Sequence, residues 1–314
     1  MEGWRSVEGR IVKIGYPSIN WHIGCKGNRT FRLSSYSEER LISTVSNNLD
    51  CLRQILRFNV NHNILFFRIT SDLIPFASHP VCQFAWAGFF AGDFASIGSY
   101  IRAHGVRISM HPGQYVVLNT PNAVTLDSTL SDLDYHAAVL DAMGLDASAK
   151  IQVHVGGVYG DREASIRRFV GRYERLDGHI KRRLVIENDE RSYMLSHCLR
   201  IHEETGIPVL FDVFHHELNN LGEPIADAFP LFTATWADPD GLPLVDYSHR
   251  SPGKPGPGHA DTVDLQHFAG FLQESRPFDF DVMLEIKDKE ASALKAVGIA
   301  KDDERFIRAA EPLD

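Results

Sequence analysis

The chain has 314 residues, 44% of them apolar, and a formal net charge of −9, a composition typical of globular proteins that excludes intrinsic disorder and collagen-like repeats. Residues 1–10 are polar and no run approaches the roughly 18 apolar residues of a spanning helix, so we expect neither export nor membrane insertion. Cys25, Cys51, Cys82 and Cys198 are widely spaced without a CxxC pair, which predicts no disulfide framework, no cysteine zinc site and a reducing, cytoplasmic setting.

Short β-branched, apolar runs alternate with longer helical patterns along the chain. Strands are predicted at residues 11–16, 64–69, 106–110, 151–155, 184–187, 208–212, 242–246 and 281–286. Helices are predicted at 38–58, 93–104, 127–145, 162–176, 192–205, 225–235, 263–273 and from 289 onward. Because this alternation repeats eight times without a linker, it predicts a single (β/α)8 TIM barrel over residues 1–314, with a basic loop at 17–35 and a Pro/Gly-rich loop at 251–258 at its mouth.

Histidines and carboxylates stand at the predicted C-terminal ends of most strands. These ends meet at one rim of a parallel barrel, where catalytic groups lie. A lone histidine is often packed in a core, but a carboxylate that ends an apolar strand is seldom buried without a partner. Their convergence predicts a metal centre built from His79, His111, His154, Glu187, Asp212, His215, Asp246, His259 and Glu285.

The types of these side chains narrow the chemistry. Imidazoles with carboxylates and no thiolates suit Zn, Mn or Fe, and the set exceeds the needs of one tetrahedral ion, so we expect two or three divalent ions. Such ions supply hydroxide near neutral pH and stabilise both oxygens of a phosphoryl transfer, which favours phosphodiester hydrolysis. Sugar isomerases on the same barrel use similar ligands, and the spacing leaves that alternative open.

Seven runs, in chain order over about residues 10–295, resemble one family. They are GYP at 15–17, SDLIP at 71–75 with His79, HPGQY at 111–115, VHVGG at 153–157, IEND at 186–189, FD at 211–212 with His215 and His216, and EIKDKE at 285–290. Together they resemble the UV damage endonucleases, a branch of the endonuclease IV-like barrels.

The resemblance implies an enzyme that nicks DNA 5′ to cyclobutane pyrimidine dimers and 6-4 photoproducts, and also at abasic sites. It implies a three-metal cluster in which Mn²⁺ is favoured, with Zn²⁺, Mg²⁺ or Co²⁺ as alternatives. Gln114 and Tyr115 would enter the duplex at the lesion, and Tyr16 would contact DNA near the flipped nucleotides; a polar turn and barrel packing are the alternative readings of these residues. The catalytic residues implied are Glu187, His111, His259 and Lys287.

The strand-seven run departs from the family pattern. Leu244 stands where a lysine, chemically modified in some members, lies between metals, and Asp246 stands where a histidine ligand is usual. Aspartate can bind a hard cation but leucine cannot. We therefore expect the cluster to survive with altered affinity or metal preference, with Lys287 as a nearby cation that partly substitutes.

The prediction is a metal-dependent DNA repair endonuclease that acts on damaged double-stranded DNA. We expect a cytoplasmic monomer that is nucleoid-associated when bound to DNA, with no membrane and no obligate protein partner. The alternatives are a sugar isomerase-like enzyme, which suits the acidic net charge, an endonuclease IV-type abasic-site endonuclease, and a metal-stabilised DNA-binding scaffold without catalysis. Candidate phosphate contacts are Arg10, Lys13, Arg29, Arg32, Arg250 and Lys254.

Overall fold

The computed structural model describes residues 12–251 and 258–309, and in these ranges eight parallel strands close into a barrel in chain order, with β8 pairing back to β1. This confirms the predicted (β/α)8 barrel; a single domain over all of residues 1–314 stays a prediction. The strands are Val12–Pro17 (β1), Phe66–Ile69 (β2), Arg107–Met110 (β3), Lys150–His154 (β4), Leu184–Glu187 (β5), Val209–Asp212 (β6), Leu244–Tyr247 (β7) and Phe280–Leu284 (β8).

Helices follow the strands, and each predicted helical interval overlaps one. Side-chain caps fix several starts, as where Asp161 accepts a hydrogen bond from the amide of Ala164 at 3.0 Å. In the described ranges, no helix is long and apolar enough to cross a membrane. The helices are Glu38–Asn61 (α1), Trp86–Phe89 (α2), Ala91–Ala103 (α3), Ala123–Ala142 (α4), Arg162–Tyr173 (α5), Gly178–Lys181 (α6), Leu195–Thr205 (α7), Val213–Leu218 (α8), Ile225–Thr233 (α9), Leu265–Glu274 (α10) and Glu290–Ala300 (α11).

The barrel interior is layered because side chains alternate between the two faces of each strand. Buried apolar residues of five strands form one cluster inside the barrel, and the residue two positions further along each of these strands is polar or charged. The charged layer therefore lies at the C-terminal side of an apolar layer that supports it. The apolar layer contains Phe66, Val185, Leu210, Leu244 and Met283, and the charged layer contains Arg68, Glu187, Asp212, Asp246 and Glu285.

A separate polar cluster closes the opposite, N-terminal end of the barrel. The buried Lys150 donates to Asp240, and Arg107 donates to the carbonyls of Asp240 and Leu242. Lys13 pairs in register with Asp281 at the start of β8 and lines a cavity of about 300 Å³ with Arg107. Because β1 begins only one residue before it, Lys13 lies at the end of the barrel opposite the mouth, so this position does not support a contact with a phosphate bound at the mouth.

The loop after β1 is bonded covalently to α1. Cys25 and Cys51 form a disulfide with Cα atoms 5.8 Å apart, whereas Cys82 and Cys198 are free thiols. The expectation of no disulfide was wrong. The two cysteines are 26 residues apart in sequence, and only the folding of the loop back onto α1 brings them together.

Replacing Cys25 with serine is expected to lower the free energy of unfolding by about 3 kcal/mol. The closed loop restricts the unfolded chain, and the loss of that restriction favours unfolding. Denaturant unfolding under oxidising conditions measures the effect, with Cys82→Ser as the matched control because Cys82 is a free thiol. Equal stability of Cys25→Ser and the parent would contradict the prediction, and reduction of the parent should reproduce the variant.

Candidate active site

Seven of the predicted ligand residues converge at the C-terminal rim of the barrel. They form three groups, within each of which the ligand-type atoms lie within 4.8 Å of one another. Adjacent groups share a residue, so the three make one continuous cluster. The groups are His111 with His154 and Glu187, Glu187 with Asp212 and His215, and Asp212 with Asp246 and Glu285.

Glu187 lies at the centre of this cluster, where β5 ends. Its Oε1 is 3.2 Å from Nδ1 of His154 and 3.6 Å from Nδ1 of His215, and its Oε2 is 3.8 Å from Nε2 of His111. Burial, and then the nearby carboxylates of Asp246 and Asp212, raise the pKa of Glu187 well above its ordinary value. Such a carboxylate becomes ionised readily only where a cation shares its site.

Several buried ligand atoms have no hydrogen-bond partner among the described residues. They are Nδ1 of His111, His154 and His259, and Oδ2 of Asp212. Because buried polar atoms in proteins are nearly always paired, such orphans require an explanation. Burial lowers the pKa of His111 and of His154, which favours the neutral imidazole that binds metals. The residues present therefore fit divalent ions.

Backbone and amide contacts hold the ends of β5 and β6 in place. The side chain of Asn188 donates to the carbonyl of Asp212 at 2.9 Å and accepts from the amide of Asp212 at 3.0 Å. Asp212 also caps α8 by accepting from the amide of His215 at 2.7 Å. Because α8 starts directly after β6, its first turn brings His215 close to Asp212. Sequence reasoning did not assign a role to Asn188, which positions two ligand residues.

The cluster opens into a cavity of about 470 Å³ at the barrel mouth. His259 lines it with its Nε2 atom 3.6 Å from Oε2 of Glu285. Lys287 also lines it and makes an ion pair with Asp261 at 2.8 Å. Lys289, which sequence reasoning missed, lines the same cavity in a strained conformation with φ of 51°, and strain of this kind is common at functional sites.

The HPGQY segment forms a turn at the rim. Gln114 is exposed and lines the cavity, and Tyr115 is 63% exposed. The Tyr115 ring folds back over Gly113, where a Cβ atom would overlap it. The turn closes with a hydrogen bond from the amide of Val116 to the carbonyl of Gly113 at 2.9 Å. The Tyr115 ring can therefore pack against this turn only because position 113 is a glycine.

Other predicted residues lie elsewhere. His79 is exposed, belongs to none of the three groups, and accepts a hydrogen bond from the amide of Val81 at 3.0 Å. Tyr16 is fully buried, and its hydroxyl bonds to Asn59 at 2.7 Å and Asn20 at 2.8 Å. Tyr16 therefore has the position of a packing residue. Its burial does not support the predicted contact with DNA.

Three of the predicted phosphate contacts are exposed: Arg29 and Arg32 in the loop after β1, and Arg250 after β7. They follow the C-terminal ends of their strands and so belong to the mouth side of the barrel. Arg10 and Lys254 lie outside the described residues.

Two interior residues that sequence reasoning missed bind the third ligand group. Arg68 donates through one terminal nitrogen to Asp246 Oδ1 at 2.7 Å and Oδ2 at 2.8 Å, and through the other to Glu285. Gln152 accepts from Arg68 at 2.7 Å and donates to Asp246 at 2.6 Å and to Glu187. The sequence did contain a sign of this interaction, because Arg68 lies within an apolar strand and a charged side chain buried there must be paired.

Burial is the largest influence on the carboxyls of this group. It raises the pKa of Asp246 to about 8, although Arg68 opposes the shift. At Glu285 burial acts in the same direction but is outweighed, because Arg68, His259 and His111 hold the pKa well below its ordinary value. The group therefore combines one carboxylate that is firmly ionised with one that gains a proton easily.

Comparisons with known proteins agree with the resemblance in the sequence. The family model for UV-endonuclease UvdE matches residues 12–305. A curated protein of Clostridium perfringens (strain 13 / Type A), named UV DNA damage endonuclease, is 36% identical over 293 residues, which is 93% of this chain and 71% of the relative.

Solved structures give the same result. The crystal structure of SacUVDE matches with a TM-score of 0.89 and 45% identity, covering 93% of this chain and 98% of that one. Endonuclease IV from Thermus thermophilus matches with a TM-score of 0.58 and 13% identity over 80% of this chain and 93% of the other, which shows the shared barrel alone. The chain belongs to the UV-endonuclease UvdE family, and its fold is a TIM barrel.

Proposed function

We propose that this chain is a divalent-metal-dependent DNA repair endonuclease that cuts the backbone 5′ to cyclobutane pyrimidine dimers and 6-4 photoproducts, and also cuts at abasic sites. The main support for the proposal is the cluster of unpaired ligand atoms at the base of the cavity in the barrel mouth. The exposed Gln114 and Tyr115 lie at the rim of this cavity. The family membership supplies the substrate class, since the curated relative is named UV DNA damage endonuclease.

The geometry supports two ion positions that share Glu187. One would be held by His111, His154 and Glu187, and the other by Glu187, Asp212 and His215. We favour Mn²⁺, because imidazole with carboxylate suits this ion, with Zn²⁺, Mg²⁺ or Co²⁺ as alternatives. When bound, divalent ions lower the pKa of water and offset the charge that develops on the phosphate oxygens.

The chain's own cations and imidazoles would complete the chemistry around the phosphate. Lys287 and Lys289 line the cavity and can bind phosphate oxygens. The Nε2 atom of His259 is 3.6 Å from Oε2 of Glu285, so this carboxylate would orient the imidazole beside the phosphate and its leaving 3′ oxygen. His111 would hold its ion while burial keeps its ring neutral.

The rim would recognise the lesion by its weak stacking. A photoproduct disrupts pairing and stacking, so extruding it from the duplex costs less than extruding normal bases. Tyr115 could fill the gap that results, and exposed aromatic residues on neighbouring strand-to-helix loops, Trp21 and Tyr159, offer further stacking surfaces. Arg29, Arg32 and Arg250 would contact backbone phosphates.

A nicking assay tests the proposal directly. A labelled duplex with one defined photoproduct is compared with an abasic and an undamaged duplex, with Mn²⁺ or with a chelator. We expect metal-dependent cleavage immediately 5′ to the photoproduct. Cleavage of the abasic duplex alone would favour an endonuclease IV-type role, and no cleavage of any duplex by metal-loaded protein would favour a sugar isomerase or an inactive scaffold.

Lesion selectivity is expected to depend on the rim pair. Changing Gln114 and Tyr115 together to alanine should lower kcat/KM on the photoproduct duplex by about 10- to 100-fold, since stacking is worth about 1–3 kcal/mol per base. The metal content should not change. Leu231→Ala, which truncates an exposed apolar residue on α9, is the control. An unchanged preference for damaged over undamaged DNA would exclude the pair from recognition.

We further propose that the chain is a single domain that works as a monomer in the cytoplasm, associated with the nucleoid while bound to DNA and without an obligate protein partner. A duplex must reach the open mouth of the barrel, which suits one chain per lesion. The Cys25–Cys51 disulfide is uncommon in a reducing compartment, so its oxidation state in the cell is worth measuring by thiol labelling after rapid acid quenching.

A further inference from the structure

The third ligand group differs from the other two because it already contains a cation. The Arg68 guanidinium contacts Asp246 through both carboxylate oxygens at 2.7 and 2.8 Å and also donates to Glu285. The Arg68 side chain is 4% exposed and that of Asp246 is 1% exposed. A charge pair this deeply buried is not readily separated, since either partner alone would leave an uncompensated charge in the protein interior.

The hydrogen-bonding capacity of this group is also largely used. Oδ2 of Asp246 accepts from Gln152 at 2.6 Å as well as from Arg68, and Oδ1 accepts from Arg68. None of the oxygens of Asp246 and Glu285 is among the buried atoms without a partner in the described ranges. A metal ion at this position would have to displace both Arg68 and Gln152.

In the two groups that share Glu187, by contrast, several buried ligand atoms have no hydrogen-bond partner among the described residues. Nδ1 of His111, Nδ1 of His154 and Oδ2 of Asp212 are buried and unpaired. Each belongs to a residue of those two groups. Asp212 is also shared with the third group, and Nδ1 of His259, whose ring lies beside Glu285, is unpaired within the described part of the chain as well. Most of the unpaired ligand atoms nevertheless belong to the two groups around Glu187, whereas Asp246 and Glu285 leave no buried oxygen unpaired in the described ranges.

Residues in β7 also give a third ion little to bind. Leu244 is fully buried in the apolar layer with Phe66 and Met283, so a nonpolar side chain fits its surroundings. Asp246, two residues later, faces Arg68 and Gln152. Of the two departures from the family pattern, Leu244 thus belongs to the apolar layer, and Asp246 is paired with Arg68 and Gln152.

We propose that the Arg68 guanidinium is the permanent cation of the third group, so that the centre binds two divalent ions and not three. This inference rests on the proposed metal centre. Four carboxylates and one guanidinium leave three negative charges when all are ionised. Two divalent ions carry four positive charges, one more than these three negative charges, and a bound phosphodiester would neutralise the remaining one. A third divalent ion would leave a large excess of positive charge in a buried site.

Metal counting tests the proposal without relying on nicking. The full chain is stripped with chelator, saturated with Mn²⁺ and freed of unbound ion, and the ions per chain are measured by elemental analysis and by calorimetric titration. We expect two ions. Three ions in the parent protein would overturn the proposal and leave the proposed function intact, whereas no bound ion would overturn the metal-dependent function as well.

Variants assign the ions to residues. Asp246→Asn keeps the size and shape of the side chain but replaces one of the two oxygens that accept from Arg68 and Gln152; it should still bind two ions, whereas Asp212→Asn should bind at most one. Arg68→Met removes the cation and should admit a third ion, with Arg68→Lys as the charge-conserving control that stays at two. If Arg68→Met does not fold, the numbers of ions bound by the parent protein and by Asp246→Asn decide the question. Loss of an ion in Asp246→Asn would show that Asp246 is a ligand and would overturn the proposal.

Discussion

Replacing Glu187 with glutamine is expected to reduce nicking at least about 1,000-fold, which corresponds to about 4 kcal/mol of lost transition-state stabilisation. The reason is geometric, because Glu187 is the residue that the first two ligand groups share. The amide is nearly isosteric but lacks the charge that holds a cation. Elemental analysis should show loss of metal in parallel with activity.

The same substitution should have the opposite effect on the metal-free protein. Glu187 is buried among carboxylates that raise its pKa, so a neutral amide should make the metal-free chain more stable at neutral pH. Glu203→Gln, an exposed position on α7, is the control and should change neither quantity. A Glu187→Gln protein that keeps its ions and its activity would refute the proposed centre.

The metal-free protein is expected to lose stability as the pH rises from 6.5 to 8.5. The folded-state pKa values of Glu187 and Asp246 are raised, that of Asp246 to about 8, whereas both are near 4 in the unfolded chain. The stability that such groups contribute is full below the unfolded pKa and is lost as pH rises through the folded pKa. Each group should cost up to about 1.4 kcal/mol per pH unit.

Groups with the opposite shift act at lower pH. Burial lowers the pKa of His111 and His154, and their contribution is lost as pH falls below the unfolded value near 6.5. Glu285, whose pKa is lowered, contributes stability above about pH 4 that is lost on acidification. Glu285 does not oppose the decline between pH 6.5 and 8.5, and the two histidines oppose it only at the lower end of this range, where the unfolded imidazoles still titrate.

Denaturant unfolding with chelator or with Mn²⁺ across this range measures the effect. Bound ions favour the ionised carboxylates and should flatten or reverse the decline, with proton release on binding. Asp246→Asn should make the slope of the metal-free protein shallower. Identical slopes with and without metal would show that these carboxyls do not bind it.

Periodicity predicted the barrel because each strand and helix carries its own local pattern. All eight strands lie within two residues of their predicted bounds at each end, as at residues 184–187, where prediction and structure coincide. The short helix α8 was missed since it begins directly after β6 and reads in sequence as an extension of the strand end. The disulfide was missed for a different reason, because the contact between Cys25 and Cys51 depends on the tertiary course of a loop.

The site was predictable where a residue ends a strand and less so inside the barrel. Glu187, Asp212 and His215 were assigned from position alone, and the structure brings them together. Arg68 and Gln152 were missed because a sequence does not show which strands face each other across a barrel interior. His79 was also included because it follows the second strand, but it stands ten residues beyond the end of β2 on an exposed loop, and the position of such a distant residue depends on packing.

The reciprocal bonds of Asn188 between two strand ends, in a barrel without a free sheet edge, make the rim a stiff template. A duplex docking on a stiff surface must supply the distortion itself, so the elastic cost falls on the nucleic acid. Lesions that soften the stack lower this cost whatever their chemical structure. Under the proposed function, one unchanging surface would thus accept dimers, 6-4 products and abasic gaps, and would select among them by how easily each lets the helix bend.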